Sequence, residues 1–176
     1  MELIRALTDK AVLGTAGHSS ARPRLTARAI LINPEGKVAV MYSGRYGLYT
    51  LPGGGVEPEE TLIDALRREM MEETGCRCHR IRPLGYVSEN RGYCDYTQVS
   101  CYYVVTTRDR LLAPHLTAVE EANKTTVQWY TLEEADRLIR EPRHHNRQRK
   151  FLQARDVAAL DQYHRQRSGH GGPRKR

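Results

Sequence analysis

The chain has 176 residues, of which 39% are hydrophobic and 28% charged, and its formal net charge is +7. This length suits one compact domain with a substantial core. No apolar run approaches the roughly eighteen residues that a membrane-spanning helix needs, and the first residues, with Glu2 and Arg5, lack the apolar core of a signal peptide. We therefore expect a single-domain cytoplasmic protein with no membrane partner.

The cysteines indicate a reducing environment. There are four of them, at Cys76, Cys78, Cys94 and Cys101. Because none is paired in the C-x2-C spacing of a zinc site, we expect reduced structural thiols, with disulfides or metal ligands as the alternative.

The first part of the chain predicts a short helix and then a β-hairpin. Within a mixed N-terminal segment, a short helix is predicted between Leu3 and Val12. Residues 25–32 are predicted to form a strand, and the sequence Asn-Pro-Glu-Gly at 33–36 is a strong turn signal. Residues 38–42 are expected to return as the second strand of the hairpin, and residues 49–51 then lead into a glycine loop.

The best-defined predicted helix covers residues 62–74. Thr61 offers a hydroxyl N-cap, and Asp64 stands at the third helical position, close to a capping box. No Gly or Pro interrupts the segment, and Gly75 stands where a left-handed C-cap belongs. Apolar residues recur every four positions on the face that should pack on a core, at Leu62, Leu66 and Met70.

Strands and helices alternate in the rest of the chain. Strands are predicted at 80–87, 99–107 and 127–130, from their β-branched and aromatic residues. Helices are predicted at 132–140 and 145–167. The expected result is a mixed sheet between helices.

Three glutamates lie together on the outward side of the helix at 62–74. Glu69, Glu72 and Glu73 are related by three and four positions. Like charges this close repel one another, and a solvated surface helix usually interleaves lysines among them. The alternatives are an ordinary acidic surface and a hard divalent cation, which takes one or two carboxylates together with water and substrate phosphate. The glycine loop in front favours the cation.

The stretch that contains these glutamates matches a known motif. Residues 54–76 have the spacing G-x5-E-x7-R-E-U-x-E-E-x-G-U, with Met70 and Cys76 at the apolar U positions. This spacing resembles the Nudix box, and the chain resembles a Nudix hydrolase over roughly residues 25–140. The resemblance implies an α/β fold, namely a Nudix-type α/β/α sandwich with a mixed β-sheet, and hydrolysis of a nucleoside diphosphate linked to another moiety.

The resemblance also assigns roles by position. The box glutamates are expected to be catalytic metal ligands for Mg2+, with Mn2+ as a substitute: Glu69, Glu72 and Glu73. Arg68 is expected to orient a neighbouring glutamate through a bidentate ion pair, with Glu60 as its partner or as a carboxylate outside the ligand set. Gly53 matches a position whose backbone carbonyl often joins the metal in relatives, since glycine lets the backbone approach an ion closely.

Substrate-binding residues are predicted on both sides of the box. Arg45, Tyr46 and Tyr49 are expected to clamp phosphate and stack on a base, with an exposed loop as the alternative. Arg28 either points into the same cleft or is an edge-strand charge. Tyr93, seventeen positions past Cys76, resembles the tyrosine that marks dinucleoside polyphosphate hydrolases. The downstream proline that marks ADP-ribose hydrolases and the SQPWPFPxS motif that marks NADH-type members have no counterpart in this sequence.

A further acidic candidate lies downstream. Glu120 and Glu121 fall in a predicted loop between two strands, where relatives often place a metal ligand or general base. A carboxylate near a metal-bound water can take its proton, so Glu120 is the candidate catalytic residue. The alternative is a pair of exposed loop glutamates.

The positive charge is concentrated at the C-terminal end. Residues 143–176 hold ten Lys or Arg and two Asp, a net +8, which leaves −1 for residues 1–142. The expected organisation is an N-terminal segment (1–24), a Nudix hydrolase domain (25–142), a basic helix (143–167) and a disordered basic tail (168–176). The helix is expected to pack on the body or on a second subunit of a homodimer. The tail either attracts RNA by counterion release or is simply solvated.

The predicted activity is that of an Mg2+-dependent pyrophosphohydrolase. Nucleoside triphosphates are the default substrate, giving a nucleoside monophosphate and pyrophosphate, with dinucleoside polyphosphates or RNA 5′ ends as alternatives. The alternative of another class is a non-catalytic Nudix-like module that binds a nucleotide. Such modules usually lose the box glutamates or the arginine, all of which are present here.

Overall fold

The structure, a computed structural model, describes residues 1–108 and 117–169, apart from the side chains of Val119 and Glu120. Its strands are β1 (Leu3–Thr8), β2 (Arg24–Ile32), β3 (Val38–Ser43), β4 (Leu48–Thr50), β5 (Gly53–Gly55), β6 (Arg80–Arg91), β7 (Tyr96–Thr106) and β8 (Thr125–Tyr130). Its helices are α1 (Asp9–Leu13), α2 (Leu62–Thr74), α3 (Ala118–Ala122), α4 (Leu132–Arg140) and α5 (Arg147–Gly169), with a short 3-10 turn at Gly92–Cys94.

The strands form one mixed sheet in the order β1-β6-β7-β2-β3-β4, with β5 paired to β2 and β8 paired to β3. The pairs β1–β6 and β2–β7 are parallel, and β2–β3, β6–β7 and β3–β8 are antiparallel. The mixed sheet predicted from the sequence is confirmed.

Helices cover both faces of this sheet. Successive side chains of a strand point to opposite faces, and β2 uses both. Ala29 and Leu31 belong to the buried cluster that includes Leu66 of α2, whereas Ile30 belongs to a second cluster that includes Phe151 of α5. The molecule is therefore an α/β/α sandwich, as predicted.

Helix α2 has the predicted bounds because both of its ends are capped. The Thr61 hydroxyl accepts a hydrogen bond from the Asp64 N–H at 3.2 Å, and the Asp64 carboxylate accepts one from the Thr61 N–H at 3.3 Å. Gly75 ends the helix in the left-handed conformation, with φ of 67°. Leu66 and Met70 are fully buried, so the apolar face packs on the sheet.

Two of the local predictions are wrong. The helix predicted between Leu3 and Val12 is instead strand β1 followed by the short helix α1, because residues 3–8 pair in parallel with β6. The loop predicted around Glu120 and Glu121 is helix α3. In the first case, pairing with a strand some eighty residues away overrides the local preference.

Helix α5 packs on the body of its own chain. Phe151, Ala158 and Leu160 are buried in the cluster that also holds Ile30 of β2 and Val87 of β6. The helix continues through Ser168 and Gly169, so it takes in the start of the predicted tail, whose residues 170–176 lie outside the described residues. Among the helices of the described chain, none is both long and apolar enough to cross a membrane.

Candidate active site

A cavity of about 730 Å3 lies between the glycine strand β5 and helix α2, and we call it the carboxylate cavity. Its walls include Gly53, Gly54, Arg68, Glu69, Glu72 and Glu73. The folding of α2 against β5 thus brings together the three glutamates, the arginine and the glycine that the sequence singled out.

Arg68 organises the carboxylates of this cavity. Its Nε and Nη2 donate to the two carboxylate oxygens of Glu60 at 2.7 and 3.0 Å, in the bidentate geometry expected from the sequence. Its Nη1 donates to Glu69 at 2.9 Å and to Glu72 at 3.1 Å. Nη2 also donates to the Gly55 carbonyl at 2.8 Å. One guanidinium therefore joins α2 to the glycine strand and holds three carboxylates.

The carboxylates differ in their protonation behaviour. Hydrogen bonds from Arg68, with a further one from the Glu57 N–H, lower the pKa of Glu60 to about 2. Burial raises the pKa of Glu69 above its ordinary value, although Arg68 opposes that shift. Only 13% of the Glu69 side chain is exposed, compared with 40% for Glu72. Glu60 is thus held as an anion, while burial disfavours the ionised form of Glu69, which a neighbouring positive charge would stabilise.

Two glycines allow the close approach of β5 to its neighbours. Gly53 has φ of 131°, and a Cβ there would lie 2.3 Å from the Ala27 carbonyl oxygen. A Cβ on Gly54 would lie 2.3 Å from a carboxylate oxygen of Glu69. The Gly53 N–H donates to Glu73 at 2.5 Å. A side chain at Gly53 would collide with the backbone of β2, and one at Gly54 would displace the Glu69 carboxylate, which accounts for glycine at both positions.

The carboxylate donors suit a cation that needs few protein ligands. Among the described residues, no three Asp, Glu, His or Cys side chains are grouped to hold one metal ion by themselves. Arg68 contacts both Glu69 and Glu72, and the Gly53 N–H contacts Glu73. Magnesium is usually bound through one or two carboxylates, with water and substrate phosphates completing its shell. One or two carboxylates from the set Glu69, Glu72 and Glu73 fit that manner of binding.

A second cavity, of about 460 Å3, adjoins the first through Glu73 and is lined by both polar and apolar side chains. We call it the amide cavity; its walls include Tyr46, Asn123, Asn146 and Gln148. Tyr46 is 37% exposed, and the Arg149 guanidinium lies 4.3 Å from the centre of its ring. These residues come from three distant segments. The sequence indicated Tyr46 as a stacking residue, but no local pattern could have identified Asn123, Asn146 and Gln148.

A third cavity, of about 600 Å3, is lined by Arg24, Arg28, Arg91, Arg147, Arg155 and Tyr93, and we call it the arginine cavity. It shares Arg24 and Arg28 with the carboxylate cavity and Asn146 and Gln148 with the amide cavity. The three cavities therefore adjoin one another.

The other predicted site residues are placed as follows. Arg28 donates from Nη1 to the Leu51 carbonyl at 3.0 Å and lines two of the cavities. Tyr93 lines the arginine cavity. Arg45 is exposed beside Tyr46, and Tyr49 stacks on Tyr42 at 4.6 Å; neither lines any of the three cavities.

Glu120 lies on α3. Its side chain is outside the described residues, so its role as catalytic carboxylate stays a prediction.

A buried network behind the site holds the peptide that precedes the glycine strand. The Asp156 carboxylate of α5 accepts hydrogen bonds from the Leu51 N–H at 3.0 Å, from Arg155 Nε at 3.0 Å and from the Tyr102 hydroxyl. Because Arg28 donates to the Leu51 carbonyl, both sides of this residue are fixed. Sequence reasoning did not single out Asp156, which stands in a segment that looks like a basic surface helix.

Comparison with known families agrees with this geometry. The model of the NUDIX domain family matches residues 22–154, a range that includes the glycine strand, α2 and the first part of α5. The chain belongs to the NUDIX domain family.

Two curated relatives match parts of the chain. An RNA pyrophosphohydrolase of Erythrobacter litoralis (strain HTCC2594) is 40% identical over 65 residues, covering 35% of this chain and 40% of the relative. The diphosphoinositol polyphosphate phosphohydrolase 3-alpha of Mus musculus is 32% identical over 106 residues, covering 60% of this chain and 61% of the relative. The matches thus span less than two thirds of the length of these relatives.

Solved structures share the fold. The E. coli ORF135 protein superposes with a TM-score of 0.61 at 21% identity, over 88% of this chain and 97% of that one. A MutT protein from Methanosarcina mazei Go1 gives 0.59 at 18% identity, over 85% and 99% of the two chains. At these identities the likeness concerns the fold alone.

Proposed function

We propose that the protein is a metal-dependent hydrolase that cleaves a phosphoric anhydride bond in a nucleoside diphosphate linked to another moiety. The observation that carries this proposal is the array around Arg68, which gathers Glu60, Glu69 and Glu72 beside the glycine strand. Membership of the NUDIX domain family supports it, as do the two relatives, one named as a pyrophosphohydrolase and the other as a phosphohydrolase.

The residues of the carboxylate cavity have different roles in the proposed reaction. When bound, Mg2+, or Mn2+ in its place, neutralises charge on the diphosphate and lowers the pKa of a coordinated water. Glu69, Glu72 and Glu73 would hold the ion, with the Gly53 backbone beside it. Arg68 keeps two of these glutamates in position and is itself anchored by the ionised Glu60. Glu120 is the proposed acceptor of the proton from the attacking water.

The amide cavity supports a nucleotide as the substrate. Side-chain amides present both donors and acceptors, which match the mixed edge of a nucleobase, and Tyr46 offers an exposed ring for stacking. Glu73 lines both this cavity and the carboxylate cavity, so a base here would place its phosphates near the glutamates. Nucleoside triphosphates, giving a nucleoside monophosphate and pyrophosphate, are the default substrate.

The test is identification of the products by chromatography, after incubation with Mg2+, of a panel of nucleotides. The panel holds canonical and oxidised nucleoside triphosphates, dinucleoside polyphosphates, ADP-ribose, nucleotide sugars and NADH, each run beside an EDTA control. Cleavage of one class to a nucleoside monophosphate, abolished by EDTA, is the expected result. If nothing is cleaved while one ligand raises the Tm, the protein is a non-catalytic nucleotide-binding module and the hydrolase proposal is wrong.

A second candidate substrate is the 5′ end of RNA, because one relative is an RNA pyrophosphohydrolase and the C-terminal end is basic. The test is to delete residues 170–176, which include Arg174, Lys175 and Arg176. A cut before α5 would remove Phe151 and Asp156 from the core and so could not separate binding from folding. We expect the shortened protein to turn over triphosphorylated RNA more slowly than the full-length chain and free nucleotides at the same rate. If the deletion leaves the rate on triphosphorylated RNA unchanged as well, a role for the tail is excluded.

A cytoplasmic location and a homodimer complete the proposal. None of the four cysteines, all of which belong to the described residues, forms a disulfide, as is usual for proteins in a reducing compartment. Size-exclusion chromatography with light scattering would test the dimer, and a monomeric mass would exclude it.

A further inference from the structure

We propose that the arginine cavity binds a second phosphate-bearing group of the substrate, so that this enzyme prefers substrates that carry at least one phosphate besides the two joined by the anhydride bond that is cleaved. This inference rests on the proposed function, because it names the class of molecule that the neighbouring carboxylate cavity would act upon.

The charge balance of the arginine cavity favours an anion. Five arginines line it, and no acidic side chain does. Arg91 pairs with the buried Glu89 through Nε at 2.9 Å, and Arg155 pairs with Asp156. Arg24, Arg28 and Arg147 have no ion-pair partner among the described residues. Arg24 and Arg28 also line the carboxylate cavity, where Arg28 attracts Glu69, but no acidic side chain of the described residues lines the arginine cavity itself. A bound anion there would offset the repulsion among its arginines.

Arg28 has a guanidinium donor that lacks a hydrogen-bond partner among the described residues. Its Nη1 is engaged with the Leu51 carbonyl, whereas its Nε is buried without a hydrogen-bond partner in the described structure. A buried donor without a partner costs free energy, so such a group usually indicates a missing ligand or water. Arg28 lines both the arginine and the carboxylate cavities, and an anion at their junction would satisfy it.

Several of these arginines are held in place before any ligand binds. The Arg91 guanidinium lies 5.0 Å from the centre of the Tyr96 ring and 5.1 Å from that of Phe151. Arg147 lies 5.6 Å from the centre of the Tyr93 ring, and Arg155 is 1% exposed. Guanidinium groups bind phosphate oxygens in a bidentate manner, and groups fixed in advance lose little entropy on binding.

The arginine cavity has the volume of a small-molecule site and adjoins the carboxylate cavity. The volume of about 600 Å3 lies within the range of small-molecule sites, and it suits a compact group rather than an extended polymer. Arg24 and Arg28 form the shared wall with the carboxylate cavity, so one molecule can place its anhydride beside the glutamates and its other phosphates among the arginines. A nucleoside with two phosphates or an inositol with several phosphates both have this chemistry.

The test is calorimetric binding of three probes at physiological salt in the presence of EDTA. The probes are AMP, adenosine 3′,5′-bisphosphate and inositol hexakisphosphate, none of which contains an anhydride bond. We expect at least one multiply phosphorylated probe to bind about tenfold more tightly than AMP, as one additional charged hydrogen-bonded contact implies. The tighter of the two identifies the carrier as a nucleoside or an inositol. If neither binds more tightly than AMP, the proposal is wrong.

Matched variants separate a built site from general attraction to a basic protein. Arg147→Gln removes an exposed arginine of the cavity, and Arg143→Gln removes an exposed arginine four positions earlier that does not line it. We expect Arg147→Gln to weaken binding of the preferred probe about tenfold and Arg143→Gln to change it less than twofold. Equal weakening by both variants would show general electrostatic attraction and would overturn the proposal.

Cys94 provides a second, independent measurement because it is exposed and lines the arginine cavity. The preferred probe should slow its alkylation by N-ethylmaleimide. Cys78 is the internal control, since it is half-buried in the cluster beneath α2 and burial raises the pKa of its thiol to about 11. Alkylation of Cys94 at the same rate with and without bound probe would place the probe elsewhere and contradict the assignment.

Probe binding and nucleotide cleavage test the arginine cavity and the hydrolase proposal separately. Binding of the probes needs neither metal nor cleavage, so tight, Arg147-dependent binding would stand even if the nucleotide panel is not cleaved. Conversely, cleavage of the panel together with equal binding of all three probes would leave the hydrolase proposal intact and refute the role of the arginine cavity.

Discussion

Two arginine-centred networks lie on opposite faces of the sheet and differ in their charge balance. Arg68 on α2 contacts the carboxylates of Glu60, Glu69 and Glu72, and its side chain is 24% exposed. Arg155 on α5 is 1% exposed, and together with Arg91 it faces the carboxylates of Glu89 and Asp156. The first network has a surplus of negative charge, and the second contains equal numbers of each sign.

The two networks differ in charge balance because they differ in their access to water. A buried network must be electrically balanced and hydrogen-bonded, because an uncompensated charge inside the protein is very costly. The Asp156 network meets this condition and fixes Leu51, next to the glycine strand. The Arg68 network lines an open cavity, where water tolerates the surplus until a cation arrives. We infer that the α5 network stabilises the fold and that the α2 network serves the chemistry.

The largest expected effect on stability is that of Asp156→Ala. This change leaves Arg155, the Tyr102 hydroxyl and the Leu51 N–H without their buried acceptor. We expect the free energy of unfolding to fall by about 3–5 kcal/mol, measured by urea denaturation.

The control is Asp161→Ala on the same helix. Asp161 pairs with Arg140, whose side chain is 41% exposed, so the expected loss is at most about 1 kcal/mol. Similar losses for the two variants would contradict the distinction between the buried and the open network.

The next largest effect is expected for Arg68→Lys. Lysine keeps the charge but cannot reproduce the fork that contacts Glu60, Glu69 and Glu72 together. We expect about 10–100-fold more Mg2+ to be needed for half-maximal turnover, with nearly the same Tm in EDTA. A metal dependence identical to that of the unmodified protein would mean that Arg68 does not position the glutamates.

The smallest effect is a pH dependence of stability through Glu60. Its hydrogen bonds with Arg68 lower its pKa from 4.5 to about 2, so its contribution is complete above pH 4.5 and is lost as the pH falls from there to about 2. The urea midpoint of Glu60→Gln should therefore lie below that of the unmodified protein at pH 6 and approach it at pH 3. A constant difference between the two midpoints would exclude the ionised pair.

The sequence predicted local features well. Helix α2 has the predicted bounds because its capping box and its C-terminal glycine are local signals. Helix α4 has the predicted bounds for the same reason, with Thr131 and Glu134 as its capping box. The box motif also placed the candidate carboxylates on one helix at fixed spacing.

The features that the sequence did not predict depend on distant contacts. Strand β1 forms because it pairs with β6, and the roles of Arg155 and Asp156 depend on burial against β4 and β7. The arginine cavity combines residues from β2, β6 and α5 with Tyr93. In sequence these arginines are indistinguishable from the solvated charges of a basic protein.

The most direct test of the central claim is the turnover rate as a function of Mg2+ concentration for the unmodified protein and for Glu73→Gln. Glu73 lines the carboxylate cavity and accepts the Gly53 N–H. We predict a rate that requires Mg2+ and that falls by about 100-fold or more in the variant, with equal Tm in EDTA. A rate that is independent of Mg2+, or a Glu73→Gln protein with unimpaired turnover, would contradict the account.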